Sequence, residues 1–107
     1  MSKTTRMQVS LVAAIFLAGA MSFAQSGEAV YRDHCQMCHG AAGIPNPWMA
    51  KMMGVKPVTD PALKKMGETE MIAATRNGMG KMQPFRGKLT DTQIRDAVAY
   101  FRTFIKK

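Results

Sequence analysis

The stretch Cys35-Gln36-Met37-Cys38-His39 holds both cysteines of the chain and one of its two histidines. C-x-x-C-H is the attachment pattern of a covalently bound haem. The spacing suits that chemistry. Two thiols one helical turn apart can each add to one of the two vinyl groups on a haem edge. The next residue can then swing its imidazole under the iron. Covalent attachment also keeps the cofactor on a protein too small to offer a large pocket.

Other uses of the two cysteines fit less well. A disulfide between Cys35 and Cys38 would close a tiny loop and stabilise little. A thioredoxin-like redox pair calls for a βαβ context, and no alternating strand pattern is present. A zinc site needs about four convergent ligands. The only other histidine, His34, directly precedes Cys35, and there is no second cysteine pair.

Upstream of the motif the chain reads as an export leader. Met1 to Gln8 carries Lys3 and Arg6 and no acid. Val9 to Ala24 is apolar or small throughout, and Ser22-Phe23-Ala24 puts small residues where a signal peptidase reads them. The run is 16 residues, short of the roughly 20 that span a bilayer. Residues 1–24 are therefore expected to be a cleaved signal peptide, with a single domain over 25–107. No cysteine follows the cut directly, so lipid attachment there is not expected.

The whole chain has 15 Lys and Arg against 7 Asp and Glu, a formal charge of +8, of which the two leader cations leave +6. A domain of this size gains only about 3–5 kcal/mol from its core and usually needs a staple. A buried cofactor would serve.

Around the motif the predicted elements are helical. Gly27, Tyr31, Cys35 and Cys38 recur at helical spacing, which predicts a helix over 27–38 with these residues on one face. Gly40 to Val58, with Pro45, Pro47, Pro57 and several methionines, predicts irregular chain, reasonable in a compact domain if it wraps something. Asp60-Pro61 is a short-helix start. A second short helix is predicted over 68–76, stopped by Asn77-Gly78. Thr90 and Gln93 form a capping box, with Leu89 and Ile94 placed as a hydrophobic staple. Ile94, Ala97, Val98, Phe101 and Ile105 make the apolar stripe of a final helix.

His39 provides one axial nitrogen, and a second axial ligand must come from elsewhere. His34 and Met37 lie on the attachment helix and cannot easily reach the opposite haem face. Met49, Met52 and Met53 sit in the wrapping loop and suit the lining of the haem. Met66 and Met71 read as core. Met79 and Met82 remain, in Asn77-Gly78-Met79-Gly80-Lys81-Met82-Gln83-Pro84-Phe85, where glycine before the ligand bends the loop and proline after it stiffens the return.

With these residues in place, the chain resembles the class I c-type cytochromes, most closely the small bacterial monohaem group related to the haem domains of cbb-type oxidases. The likeness runs from Gly27 to Phe104. In that family a glycine and an aromatic precede the first cysteine by eight and four residues, as Gly27 and Tyr31 do. They pack across the last helix, where Tyr100 and Phe101 occupy the aromatic places. The family's ligand loop, N-G-x-G-x-M-P-x-F, lays Met82 on the axial ligand, Phe85 on the following aromatic and Met79 on a variable position. Gln83 departs from the usual proline, which follows one place later. The family also uses a backbone carbonyl to accept the proton of the ligand imidazole, with Pro45 and Pro47 as candidates. Trp48 is a haem-packing or propionate-binding aromatic, or plain core.

The resemblance implies an all-α cytochrome c fold, with N- and C-terminal helices crossing and short helices and loops wrapping one haem. It implies one covalent haem c with its iron held by His39 and Met82, and transfer of single electrons in the periplasm without catalysis. A fixed subunit of a dehydrogenase or oxidase is the alternative. A haem enzyme or gas sensor with a labile sixth ligand is a more distant one. Lys81, Arg86 and Lys88 flank the ligand loop, with Lys51 and Lys56 in the wrapping loop. They predict redox protein partners with acidic docking surfaces, unless they are only a solvated face. Nucleic acid is not expected as a partner, nor stable membrane insertion after cleavage, and a monomer is expected.

Overall fold

The computed structural model describes residues 26–106. The predicted leader lies outside them. Among the described residues six helices follow in order: α1 Gly27–His34, α2 Gln36–His39, α3 Pro47–Met53, α4 Pro61–Lys65, α5 Glu68–Asn77 and α6 Asp91–Ile105. Among the described residues the only bridge pairings are isolated ones, Met79 with Met82 and Arg86 with Leu89. The all-α architecture read from the sequence is the observed one.

α1 and α6 are the frame. Ser26 caps α1 by accepting from the Ala29 amide at 3.2 Å. At the head of α6 both arms of the capping box are made: the Gln93 amide donates to the Thr90 hydroxyl at 3.1 Å, and the Thr90 amide to Gln93 Oε1 at 2.8 Å. Such a cap contributes about 1 kcal/mol. The staple is present too, with Leu89 and Ile94 both buried in the core. The apolar stripe of α6 then meets Val30 of α1, Met71 of α5 and Phe85 of the following loop in one cluster. Burying a side chain such as Ile94, which has no exposed surface, is worth about 1.5–3 kcal/mol.

Gly27 sets the approach of the two long helices. A β-carbon there would stand 2.2 Å from the Asp96 carbonyl oxygen of α6, so only glycine lets the backbones meet. Tyr31, one turn along, enters an aromatic nest from α6. Its ring centroid lies 5.4 Å from Tyr100, 5.9 Å from Phe101 and 5.6 Å from Phe104.

Two segments differ from the sequence reading. The predicted helix over 27–38 breaks at Cys35, whose backbone (φ −120°, ψ −35°) both ends α1 and starts α2. The Cys35 amide still donates to the Tyr31 carbonyl at 2.8 Å, and the next turn restarts on the Cys35 carbonyl, which accepts from the Cys38 and His39 amides. The stretch read as irregular contains a helix, α3. Asn46 caps it by accepting from the Met49 amide at 2.8 Å, Pro47 takes its first turn, and Gly54 ends it with a left-handed backbone, φ +67°. The rest of the loop is irregular and is stitched back by the Val58 amide on the Gly43 carbonyl, 3.0 Å.

Candidate haem site

The attachment motif is wound into one tight turn. The Cys38 and His39 amides both donate to the Cys35 carbonyl, at 3.2 and 3.0 Å. This puts Cys35, Cys38 and His39 on a single turn directly after α1. Both cysteines are half-buried free thiols. Burial, and then the neighbouring Cys38, push the Cys35 thiol up to about 11, so it is protonated at neutral pH.

Burial lowers the His39 pKa below the ordinary histidine value. The ring is therefore neutral near pH 7, the form in which imidazole binds a metal. Its Nδ1 is buried and has no hydrogen-bond partner among the described residues. Neither Pro45 nor Pro47 thus accepts a proton from it in this structure. The ring is instead met edge-on by Phe101, centroids 5.3 Å apart.

The glycine-rich loop after α5 makes a compact turn. The Met79 amide donates to the Met82 carbonyl at 3.1 Å and the Met82 amide to the Met79 carbonyl at 2.9 Å. Gly80 takes φ +57° between them, as a type II′ turn demands at its first central position. Gly78 is constrained as well: φ is +81°, and a β-carbon would lie 2.9 Å from the Met82 carbonyl. The turn gives the two methionines opposite surroundings. Met82 is half-buried against the core cluster, as Cys35 is, while Met79 is 60% exposed. Beyond Pro84 the chain is pinned to the end of α5: the Phe85 and Arg86 amides donate to the Thr75 and Arg76 carbonyls at 2.9 and 3.1 Å.

The remaining candidates sort by position. Met37 is 82% exposed. Met71 is buried and Met66 packs on the same cluster, so both are core. Met52, Met53 and Trp48 of α3 are exposed, and Trp48 is therefore not a plain core aromatic. His34 is exposed, with its ring edge-on to Phe85 at 6.4 Å.

Two contacts have no signature in the sequence. The Lys81 ammonium donates to the Met52 carbonyl at 2.7 Å, joining the methionine loop to the end of α3. The Tyr31 hydroxyl donates to the Gly40 carbonyl at 2.6 Å. The first spans 29 residues and the second bridges α1 to the end of α2, nine residues on, and no local pattern encodes either.

The donor set fits a covalently held haem. Free thiols at the right spacing can become thioethers, a neutral imidazole follows them directly, and a half-buried thioether lies on a glycine-hinged loop.

Residues 22–101 match the protein family described as Cytochrome C oxidase, cbb3-type, subunit III. The chain is 35% identical over 78 residues to the cytochrome c6 of Parathermosynechococcus lividus, a match covering 70% of this chain and 83% of that protein. It is 30% identical over 80 residues to the cytochrome c6 of Leptolyngbya boryana, covering 72% and 87%. Among solved structures it is similar to the KustC0563 c-type cytochrome. The TM-score is 0.67 at 28% identity, over 75% of this chain and 98% of the other.

Proposed function

The chain belongs to the cytochrome c family, in the group of the cbb3-type oxidase subunit III, and on that premise we propose that it is a periplasmic carrier of single electrons whose iron is held by His39 and Met82. It carries a covalent haem c and is a haem-based electron carrier. When bound, the haem iron supplies a one-electron couple between its ferrous and ferric states, and a methionine ligand raises the potential relative to two histidines.

The other roles fall to the chain's own residues. Cys35 and Cys38 tether the group by thioether bonds. His39 would hold the iron through a neutral nitrogen. Met82 would hold it through its sulfur, from a turn closed by two backbone hydrogen bonds. With both residues on the metal, small molecules would have no place there, which suits a carrier rather than an enzyme. The observation that carries the ligand assignment is the opposite placement of Met82 and Met79, one against the core and the other in solvent.

In this reading the leader directs export, and no helix of the described residues is long and apolar enough to cross a membrane. Partners are redox proteins with acidic surfaces that meet Lys81, Arg86 and Lys88. The family's description as an oxidase subunit favours one second reading: the same electron transfer performed from a fixed place in a complex.

Voltammetry of the purified holoprotein tests the proposal. The expected result is one reversible one-electron wave, with no catalytic current when peroxide is added and no carbon monoxide adduct when reduced. A catalytic wave or ready gas binding would mean an open iron site and a different function. Gel filtration of periplasmic extract separates a free carrier from a complex subunit.

A further inference from the structure

We propose that Tyr31 is a positioning residue for the His39 imidazole, acting on its backbone through the Gly40 carbonyl and on its ring through Phe101. The inference rests on the reading in which His39 binds the iron.

Ligand imidazoles are usually oriented by a hydrogen bond from their second nitrogen to a carbonyl or carboxylate. His39 Nδ1 has no such partner among the described residues. Two other contacts bear on this residue, one through its backbone neighbour and one through its ring, and both lead to Tyr31.

The first route is the backbone. Gly40 directly follows His39. Its carbonyl accepts from the Tyr31 hydroxyl at 2.6 Å and from the Gly43 amide at 3.3 Å. The former is shorter than the usual O–H···O distance of about 2.7–2.8 Å. Gly40 has φ +84°, and a β-carbon there would meet the Ile44 carbonyl. Gly40, the residue after His39, is thus wedged at its α-carbon by Ile44 and bonded at its carbonyl by Tyr31. Burial raises the Tyr31 phenol well above its ordinary range, so the hydroxyl remains a donor throughout the physiological range.

The second route is the ring. Phe101 meets His39 edge-on at 5.3 Å and stacks on Tyr31 at 5.9 Å with an interplanar angle of 20°. Tyr31 is itself only 2% exposed and is braced by Tyr100 and Phe104. Aromatic pairs of this kind are worth about 0.5–1.5 kcal/mol beyond buried area. A tyrosine so confined transmits orientation rather than absorbing it.

The test uses ferric holoprotein labelled with 15N-histidine, comparing wild type with Tyr31→Phe, Phe101→Leu and Tyr100→Phe. His34, which does not bind the iron in this reading, is the internal reference. The wild type should show strongly shifted His39 ring resonances. Tyr31→Phe should keep the covalent haem, move those resonances, broaden the low-field electron paramagnetic resonance feature and shift the potential. Phe101→Leu should move the His39 resonances too. Tyr100→Phe, which removes a neighbouring hydroxyl with no bond to this peptide, should change none of these readings. Unchanged His39 resonances and potential in both Tyr31→Phe and Phe101→Leu would overturn the proposal, whatever happens to thermal stability. Wild-type resonances without a paramagnetic shift at His39 would overturn the axial assignment itself, before any variant is compared.

Discussion

Gly27 and the Asp96 carbonyl oxygen are so close that a β-carbon at position 27 would lie 2.2 Å from that oxygen. The contact is backbone against backbone, so no side chain can rotate away to relieve it. Gly27→Ala should therefore push α1 off α6 and lose packing around Val30 and Tyr31. Overpacking of this kind costs about 1–3 kcal/mol. Guanidinium unfolding of the holoprotein, followed by far-ultraviolet circular dichroism, should show a lower midpoint. An unchanged midpoint would mean that the helices do not meet at Gly27.

The methionine loop makes a second, sharper prediction. Met82→Ala should abolish the weak long-wavelength sulfur-to-iron band of the ferric protein, admit carbon monoxide to the ferrous protein and lower the potential. Met79→Ala should do none of these, because its side chain is mostly in solvent. If Met79→Ala removes the band and Met82→Ala retains it, the register of the loop is reversed.

The attachment chemistry can be checked apart from the axial ligands. Haem-peroxidase staining of a denaturing gel should mark one band at the mature size. Cys35→Ala together with Cys38→Ala should abolish the stain, because no thiol is then left to form a thioether. Mass spectrometry of the periplasmic holoprotein should find Gln25 at its start. A mass that includes Met1 would make the leader an anchor instead.

How much was legible in advance follows from which interactions are local. The capping box at Thr90 and Gln93, the stop at Asn77-Gly78 and the start at Asp60-Pro61 are all written within four residues, and each is present. Asn46-Pro47 is the same N-cap and first-turn signal as Asp60-Pro61. α3 was thus equally readable, but the prolines and glycines around it argued for irregular chain. The break at Cys35 was hidden because the spacing of Tyr31, Cys35 and Cys38 is compatible with continuous helix. The contacts from Lys81 to Met52 and from Tyr31 to Gly40 join separate segments, and only the fold brings those together. Motif spacing therefore identified the chemistry of the site, while its supports came from tertiary structure.

The last prediction concerns how the protein meets its partner. Lys81, Arg86 and Lys88 are exposed beside the methionine loop, and Lys88 donates to Gln83 Oε1 at 2.7 Å. A bond to a neutral oxygen orients an ammonium without cancelling its charge, so the positive field at this edge persists. Electrostatic steering can raise association rates by about ten- to a thousandfold. It weakens as the Debye length shrinks to about 8 Å at physiological ionic strength. The second-order rate of electron transfer with the physiological partner should therefore fall as salt rises. Reversal of Arg86 and Lys88 to Glu should slow it at low salt and leave the potential nearly unchanged. Lys81 behaves differently because its ammonium also holds the Met52 carbonyl. Lys81→Glu would set a carboxylate against that oxygen and free the loop that carries Met82. It should slow the reaction and also disturb the sulfur-to-iron band, whereas Lys81→Arg should preserve both. If the rate responds neither to salt nor to reversal at Arg86 and Lys88, these cations are ordinary solvated surface, and docking rests on the exposed apolar side chains of Trp48, Met52 and Met79.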